Sequence, residues 1–196
     1  MNPTTTVKLY HFTNLMNLPA ILREGILRGE VPVTPYTSIA QLNAPNLTAN
    51  PNPADQRCWC RGATNKTKIR LTVEIPSDKL TSFRQVKQEY KMKNWWVKAL
   101  DPTNERRHWF FAFGGVPVQQ ITKVEILDNG AYRELAPEEL CALVAGIEQE
   151  REKVFRFCLI TTGLHAGHIG FQFKDGHQNS WLLDGELPIA SRRVGA

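Results

Sequence analysis

His11 and Thr13 are the residues on which chemistry can be built first. They stand in Leu9-Tyr10-His11-Phe12-Thr13-Asn14, directly ahead of Leu15 to Ile26. A neutral imidazole donates or accepts one hydrogen bond at each nitrogen, so it can hold a hydroxyl or move a proton. A second group is basic and aromatic. Lys91, Lys93, Lys98, Arg106 and Arg107 surround Trp95-Trp96. Bases stack on tryptophan, and lysines neutralise phosphates. The plain alternatives are a structural histidine, and a solvated helix face with its tryptophans in the core. A third group pairs Cys58-Trp59-Cys60 with His165-Ala166-Gly167-His168. Two thiolates and two imidazoles suit zinc, but the tight first spacing and the long separation lack the usual pattern. No metal is expected.

The elements that must position these groups follow from pattern. Val7 to Phe12 is β-branched and aromatic and reads as a strand. Asn17-Leu18-Pro19 reads as a helix start with Asn17 as N-cap, Leu18, Ile21 and Leu22 on one face, and Gly25 closing it. His11 and Thr13 then lie where a strand gives way to a helix N-terminus, whose N–H groups attract phosphate. Gly29 to Gln56 is rich in Pro and Asn and reads as a long irregular segment with a short extended piece at Val33 to Thr37. Ile69 to Ile75 alternates strictly and is the clearest half-buried strand. Leu80 to Leu100 holds one or two helices. His108 to Phe113 is an aromatic strand, Gly114-Gly115 turns it, and Ile121 to Leu127 is another. Pro137 opens a helix with Leu140, Leu143, Val144 and Ile147 on one face. Val154 to Thr161 alternates as a strand, and Gly170 to Leu183 reads as a hairpin.

The chain has 196 residues, 42% hydrophobic and 22% charged, as expected of a soluble globular protein with one sizeable core or one core plus a small appendage. Lys plus Arg exceed Asp plus Glu by five, which agrees with a nucleic-acid or nucleotide partner without demanding one. No signal peptide or membrane-length apolar run is visible, so a cytoplasmic protein with reduced thiols is expected. No Walker or Rossmann glycine loop and no G-x-S-x-G elbow is present.

Tyr10-His11-Phe12-Thr13-Asn14 followed by Asn17-Leu18-Pro19-Ala20-Ile21-Leu22-Arg23-Glu24-Gly25 resembles the N-terminal motif of DarT-type ADP-ribosyltransferases. There a strand bearing H-[FI]-T precedes a helix of the form N-L-x-x-I-L-x-x-G. The likeness spans about residues 7 to 127 and has no counterpart over 136–196. It implies an α+β fold: a split mixed β-sheet core with flanking helices over 1–135, clamping NAD as co-substrate. Residues 136–196 add a C-terminal helix and β-hairpin extension within the same globular unit. His11 would bind the nicotinamide-side ribose, and Thr13 the nicotinamide amide or a neighbouring ribose. Arg61 or Arg70 would meet the pyrophosphate, since a guanidinium is bidentate and permanently charged. Thr34 and Tyr36 fall where a second-strand motif comes; an aromatic there would stack on nicotinamide, and Tyr36 beside Pro35 reads equally as a loop anchor.

Such transferases also use a glutamate at the start of the strand that leads into the Val-Pro turn. Here His108-Trp109 stands there instead. A carboxylate is needed because the glycosidic bond breaks through an oxocarbenium-like state and the acceptor must lose a proton. Glu105 is the nearest, with Asp101 beyond it. Glu125, Asp184 and Glu186 are substitutes, and His108 is able to take the proton but not to supply the charge. The remaining alternative is a module that binds nucleotides or nucleic acid without catalysis. The resemblance thus implies an NAD-dependent transferase acting on nucleic acid, or else on protein, in a toxin or phage-defence setting with an antitoxin partner.

Overall fold

The structure is a computed structural model, and it describes residues 5–33, 39–42, 44–56, 66–161, 171–172 and 178–179. β1 (Thr6–Thr13) is a full strand of β-branched and aromatic residues, and its successive side chains point to opposite faces. Leu9, His11 and Thr13 therefore share one face, while Lys8, Tyr10 and Phe12 share the other. A 3-10 turn at Leu15–Asn17 follows, then α1 (Leu18–Glu24). Asn17 is not the side-chain cap expected of it. Asn14 caps instead, its Oδ1 accepting from the Asn17 N–H at 3.0 Å. The extra tight turn moves the cap three residues upstream and occupies an N–H that an anion would need.

Gly25 closes α1 at φ 90°, and a Cβ there would lie 2.4 Å from the Val116 carbonyl oxygen. Only glycine tolerates both the left-handed conformation and that approach. It lets Ile26 and Val116 exchange backbone hydrogen bonds of 2.9 and 3.0 Å.

The Pro- and Asn-rich segment is not wholly irregular. It holds β2 (Arg28–Val31) paired with β3 (Ile39–Leu42), and β4 (Asn46–Thr48). The next strands are β5 (Ile69–Pro76) and β6 (Thr81–Ser82). Two helices then occur, α2 (Phe83–Glu89) and α3 (Asn94–Leu100). Ser82 and Gln85 form a reciprocal capping box at the start of α2. β7 (Trp109–Phe111), β8 (Ile121–Asp128) and β9 (Ala131–Glu134) complete the set.

Seven strands form one sheet in the order β6-β7-β4-β1-β5-β8-β9. Each neighbouring pair is antiparallel, so the α+β class stands while the mixed strand directions expected from the resemblance do not. β1 is central. His11 lies opposite Leu71 of β5, and Phe12 opposite Arg70. β4 is only three residues long, yet it bridges β1 and β7. Beside β7, Phe83 and Val86 of α2, Met92, and Val97 of α3 pack with Trp109, Phe111 and Val31 into a buried cluster. Each such side chain stabilises the fold by about 1.5–3 kcal/mol through burial.

The chain divides into two compact units, Met1–Arg61 with Asn65–Pro137, and Gly62–Thr64 with Glu138–Ala196. The second holds most of α4 (Pro137–Thr161) and the antiparallel pair β10 (Phe171–Gln172) and β11 (Gln178–Asn179). Val154 to Thr161, expected as a strand, continues α4. No Gly or Pro interrupts the chain between Glu150 and Val154, and a short alternating run can join a helix already nucleated. Among the described residues no helix is long and apolar enough to cross a membrane.

Candidate functional site

His11 is held by its own neighbour in the sheet. Its Nδ1 lies 2.9 Å from the Asn46 carbonyl oxygen of β4. A carbonyl only accepts, so Nδ1 carries the proton and the other ring nitrogen, Nε2, is the acceptor. Burial pushes the imidazole below its ordinary 6.5; the Asn46 hydrogen bond opposes this and the Lys66 charge adds to it. The ring is thus neutral at physiological pH with one acceptor nitrogen, which is the form that binds a hydroxyl.

Thr13 is on the same face two residues on, and it is only 3% exposed. Its Oγ1 accepts from Asn17 Nδ2 at 3.1 Å. Thr13 therefore ties the end of β1 to the turn before α1, and a ligand at this corner meets Asn17 before it meets Thr13.

A second cluster forms just past the other end of β4. Asn50 donates through Nδ2 to Glu105 Oε2 at 2.7 Å and to Asp55 Oδ2 at 3.1 Å. Asn52 adds a bond of 2.8 Å to Asp55. Thr48 Oγ1 accepts from the Asn50 N–H at 3.0 Å. Glu105 opens the 3-10 turn Glu105–His108 that leads into β7. That turn is anchored by Asp101, whose carboxylate accepts from the N–H groups of Glu105 and Arg106, both at 2.9 Å, and from Arg106 Nη1 at 3.0 Å. Asp101 is 3% exposed and structural.

Asn46 and Asn50 are the residues that sequence reasoning passed over. The one signal was Asn-Pro-Asn-Pro at 50–53, since Asn before Pro favours side-chain-stabilised turns. His11 meets β4 at Asn46 and Glu105 meets the chain at Asn50, four residues on and past the bend at Ala49. No hydrogen bond among the described residues joins His11 to Glu105.

The resemblance calls for glutamate at His108-Trp109, and of these two Trp109 is a core residue. It is 1% exposed, its ring edge-on to Phe83 at 5.5 Å, deep in the cluster against α2. His108 is half-buried, and its Nε2 accepts from Arg107 Nε at 2.9 Å. Neither supplies a carboxylate.

Arg70 does not join His11. Consecutive strand residues point to opposite faces, and Arg70 lies opposite Phe12 on the far face from His11 and Leu71. There it grips Glu125 with two hydrogen bonds of 2.8 Å and donates to the Pro51 carbonyl at 2.9 Å. Its guanidinium lies 4.1 Å from the centre of the Tyr132 ring and 5.4 Å from that of Tyr10. The Arg70 hydrogen bonds hold the Glu125 carboxyl below the usual carboxylate range. This is a cross-strand lock. Arg70 and Glu125, both candidates from the sequence, thus lie on the sheet face opposite His11, and the bond of Arg70 to Pro51 reaches the residue after Asn50, which holds Glu105.

The basic stretch divides. Lys91, Lys93 and Lys98 are exposed, whereas Arg106 is paired with Asp101 and Arg107 with His108. Trp95 is 61% exposed, while Trp96 is anchored through Nε1 to the Pro32 carbonyl at 2.8 Å. Thr34, Tyr36, Arg61, the zinc candidates Cys58, Cys60, His165 and His168, and Asp184 and Glu186 lie outside the described residues. Among the described residues no group of His, Cys, Asp and Glu is arranged to hold a metal. Comparison with protein-family models, with curated proteins and with solved structures finds no match to this chain.

Proposed function

We propose that the chain is an NAD-dependent ADP-ribosyltransferase whose acceptor is a nucleic acid, with NAD seated along β4 between His11 and Glu105. One observation carries this reading: β4 borders both candidate groups, its backbone taking His11 at Asn46 and the residue just past its end taking Glu105 at Asn50. His11, neutral and with Nε2 as acceptor, takes a ribose hydroxyl. Glu105 supplies the negative charge for the oxocarbenium-like state as the ribose–nicotinamide bond breaks and nicotinamide leaves. The acceptor's nucleophile then attacks the freed ribose carbon and gives its proton to the Glu105 carboxylate. The toxin or defence role and the antitoxin partner rest on the sequence resemblance alone.

A second reading is favoured by Trp109. With a core tryptophan in place of the expected glutamate, the chain would bind a nucleotide without turning it over. Purified protein incubated with NAD labelled in its adenylate part, alone and with cell lysate, decides between them. Label in a macromolecular fraction that nuclease releases and protease does not supports the proposal, provided His11→Ala and Glu105→Gln abolish it. Release by protease instead moves the acceptor to protein. Saturable NAD binding without label or free nicotinamide supports the second reading, and no binding of any kind ends both.

A further inference from the structure

The exposed indole of Trp95 is not explained by folding. An isolated apolar ring on a surface is ordinary, but this one is 61% exposed, against 37% for Leu27 and for Phe113, the other two large apolar residues exposed among those described. It has a fixed backing. Trp96 stands edge-on to it at 6.2 Å and is itself tied to Pro32 and packed on the core cluster. The ring is therefore presented on a rigid base.

Cations surround it. Lys98 is one helical turn along α3 from Trp95 and on the same face, and Lys93 is the N-cap residue two positions before it. Lys91, held at φ 50°, turns the chain into α3. All three are exposed, and no ion pair among the described residues engages them. Uncompensated lysines next to a bare π-face suit a ligand that carries both anionic charge and flat rings.

We infer that Trp95, with Lys91, Lys93 and Lys98, is a docking platform for a single-stranded polynucleotide, one base stacking on Trp95 while the lysines follow the backbone phosphates. A duplex keeps its bases stacked on one another and offers no free face. An anionic membrane is disfavoured because α3 otherwise exposes only Asn94, Lys98 and the small Ala99, with Lys93 exposed at its N-cap, and one large ring leaves no broad apolar face to insert. This inference rests on the proposed function for the purpose of the bound strand, but the binding itself needs neither NAD nor turnover.

The test uses the full chain without NAD, so its failure is separable from failure of the transferase reading. Anisotropy of a labelled oligothymidylate and oligouridylate is followed with salt, beside a labelled duplex and phosphatidylglycerol vesicles. The expected result is binding of single strands with a log–log salt slope of about −2, for three phosphate contacts. Trp95→Ala should weaken it roughly 5- to 100-fold, and Trp95→Phe should retain most of it. Because Trp95 is exposed, both variants should melt like the parent. Replacing Lys91, Lys93 and Lys98 together by Ala should flatten the salt slope. Absence of binding at low salt, equal affinity for duplex, indifference to Trp95→Ala, or binding of vesicles alone would each overturn the inference.

Discussion

Replacing Arg70 should damage stability and leave the proposed NAD site alone. The Arg70 and Glu125 side chains are only 16% and 12% exposed, so their bidentate contact is largely withdrawn from water. Arg70→Met keeps most of the side-chain volume over Tyr132 but removes two charge-assisted bonds to Glu125 and one to Pro51. It also strands the Glu125 carboxylate. Removing one partner of a fully buried pair costs about 3–5 kcal/mol, and of an exposed pair about 0–1. This pair lies between, so the loss should be about 2–3 kcal/mol, or roughly 5–10 °C in Tm for a chain of this size.

The pH dependence has a definite sign. Glu125 titrates below its ordinary 4.5 in the folded chain. Its contribution is therefore present above 4.5 and is lost as pH falls through the lowered folded value. The hydrogen bonds to Glu125 raise Arg70 further above its already strongly basic ordinary value, so its share persists until strong alkali and does not enter the acid window. The gap between wild type and Arg70→Met should close on acidification. Arg70→Met with Glu125→Leu should recover to within about 1 kcal/mol of wild type, because no charge is then stranded. Thermal and urea unfolding at several pH values, beside NAD titration calorimetry, measure all of this. An Arg70→Met protein that melts normally but no longer binds NAD would refute the face assignment.

Three further outcomes are expected. In an NMR titration the His11 ring should titrate below 6.5, because burial opposes its charge. The stability from its neutral form is present above 6.5 and lost as pH falls through the folded value, so His11→Asn should flatten the acid side of the stability curve, and a normal His11 midpoint would be the wrong result. Asp101→Ala removes an almost fully buried carboxylate that receives three bonds of 3.0 Å or shorter, and should cost about 3 kcal/mol by urea denaturation. Trp109→Glu, which restores the carboxylate implied by the resemblance, should abolish folding by circular dichroism, since it leaves a cavity and buries a charge in the cluster with Phe83. A folded Trp109→Glu protein that gains transfer activity would instead bring position 109 into the site.

Local order determined what could be read from residues alone. α1 and β5 carry their own helical spacing or alternation, β1 carries a run of β-branched and aromatic residues, and Gly25 and Gly114-Gly115 mark their own turns, so those elements are legible in the sequence alone. The side of the sheet on which each candidate falls was not, because it depends on register. A shift of one residue would have put Arg70 beside His11, and only the pairing of His11 with Leu71 sends it to the far face. β4 was hidden for a related reason. Three residues carry too little pattern to announce a strand, yet closure of the sheet between β1 and β7 makes Asn46 the partner of His11 and brings Asn50 to Glu105. The tryptophans show the same limit. Adjacent in sequence and alike in chemistry, Trp95 and Trp96 are separated only by the packing of α3, which turns one toward Pro32 and leaves the other in water.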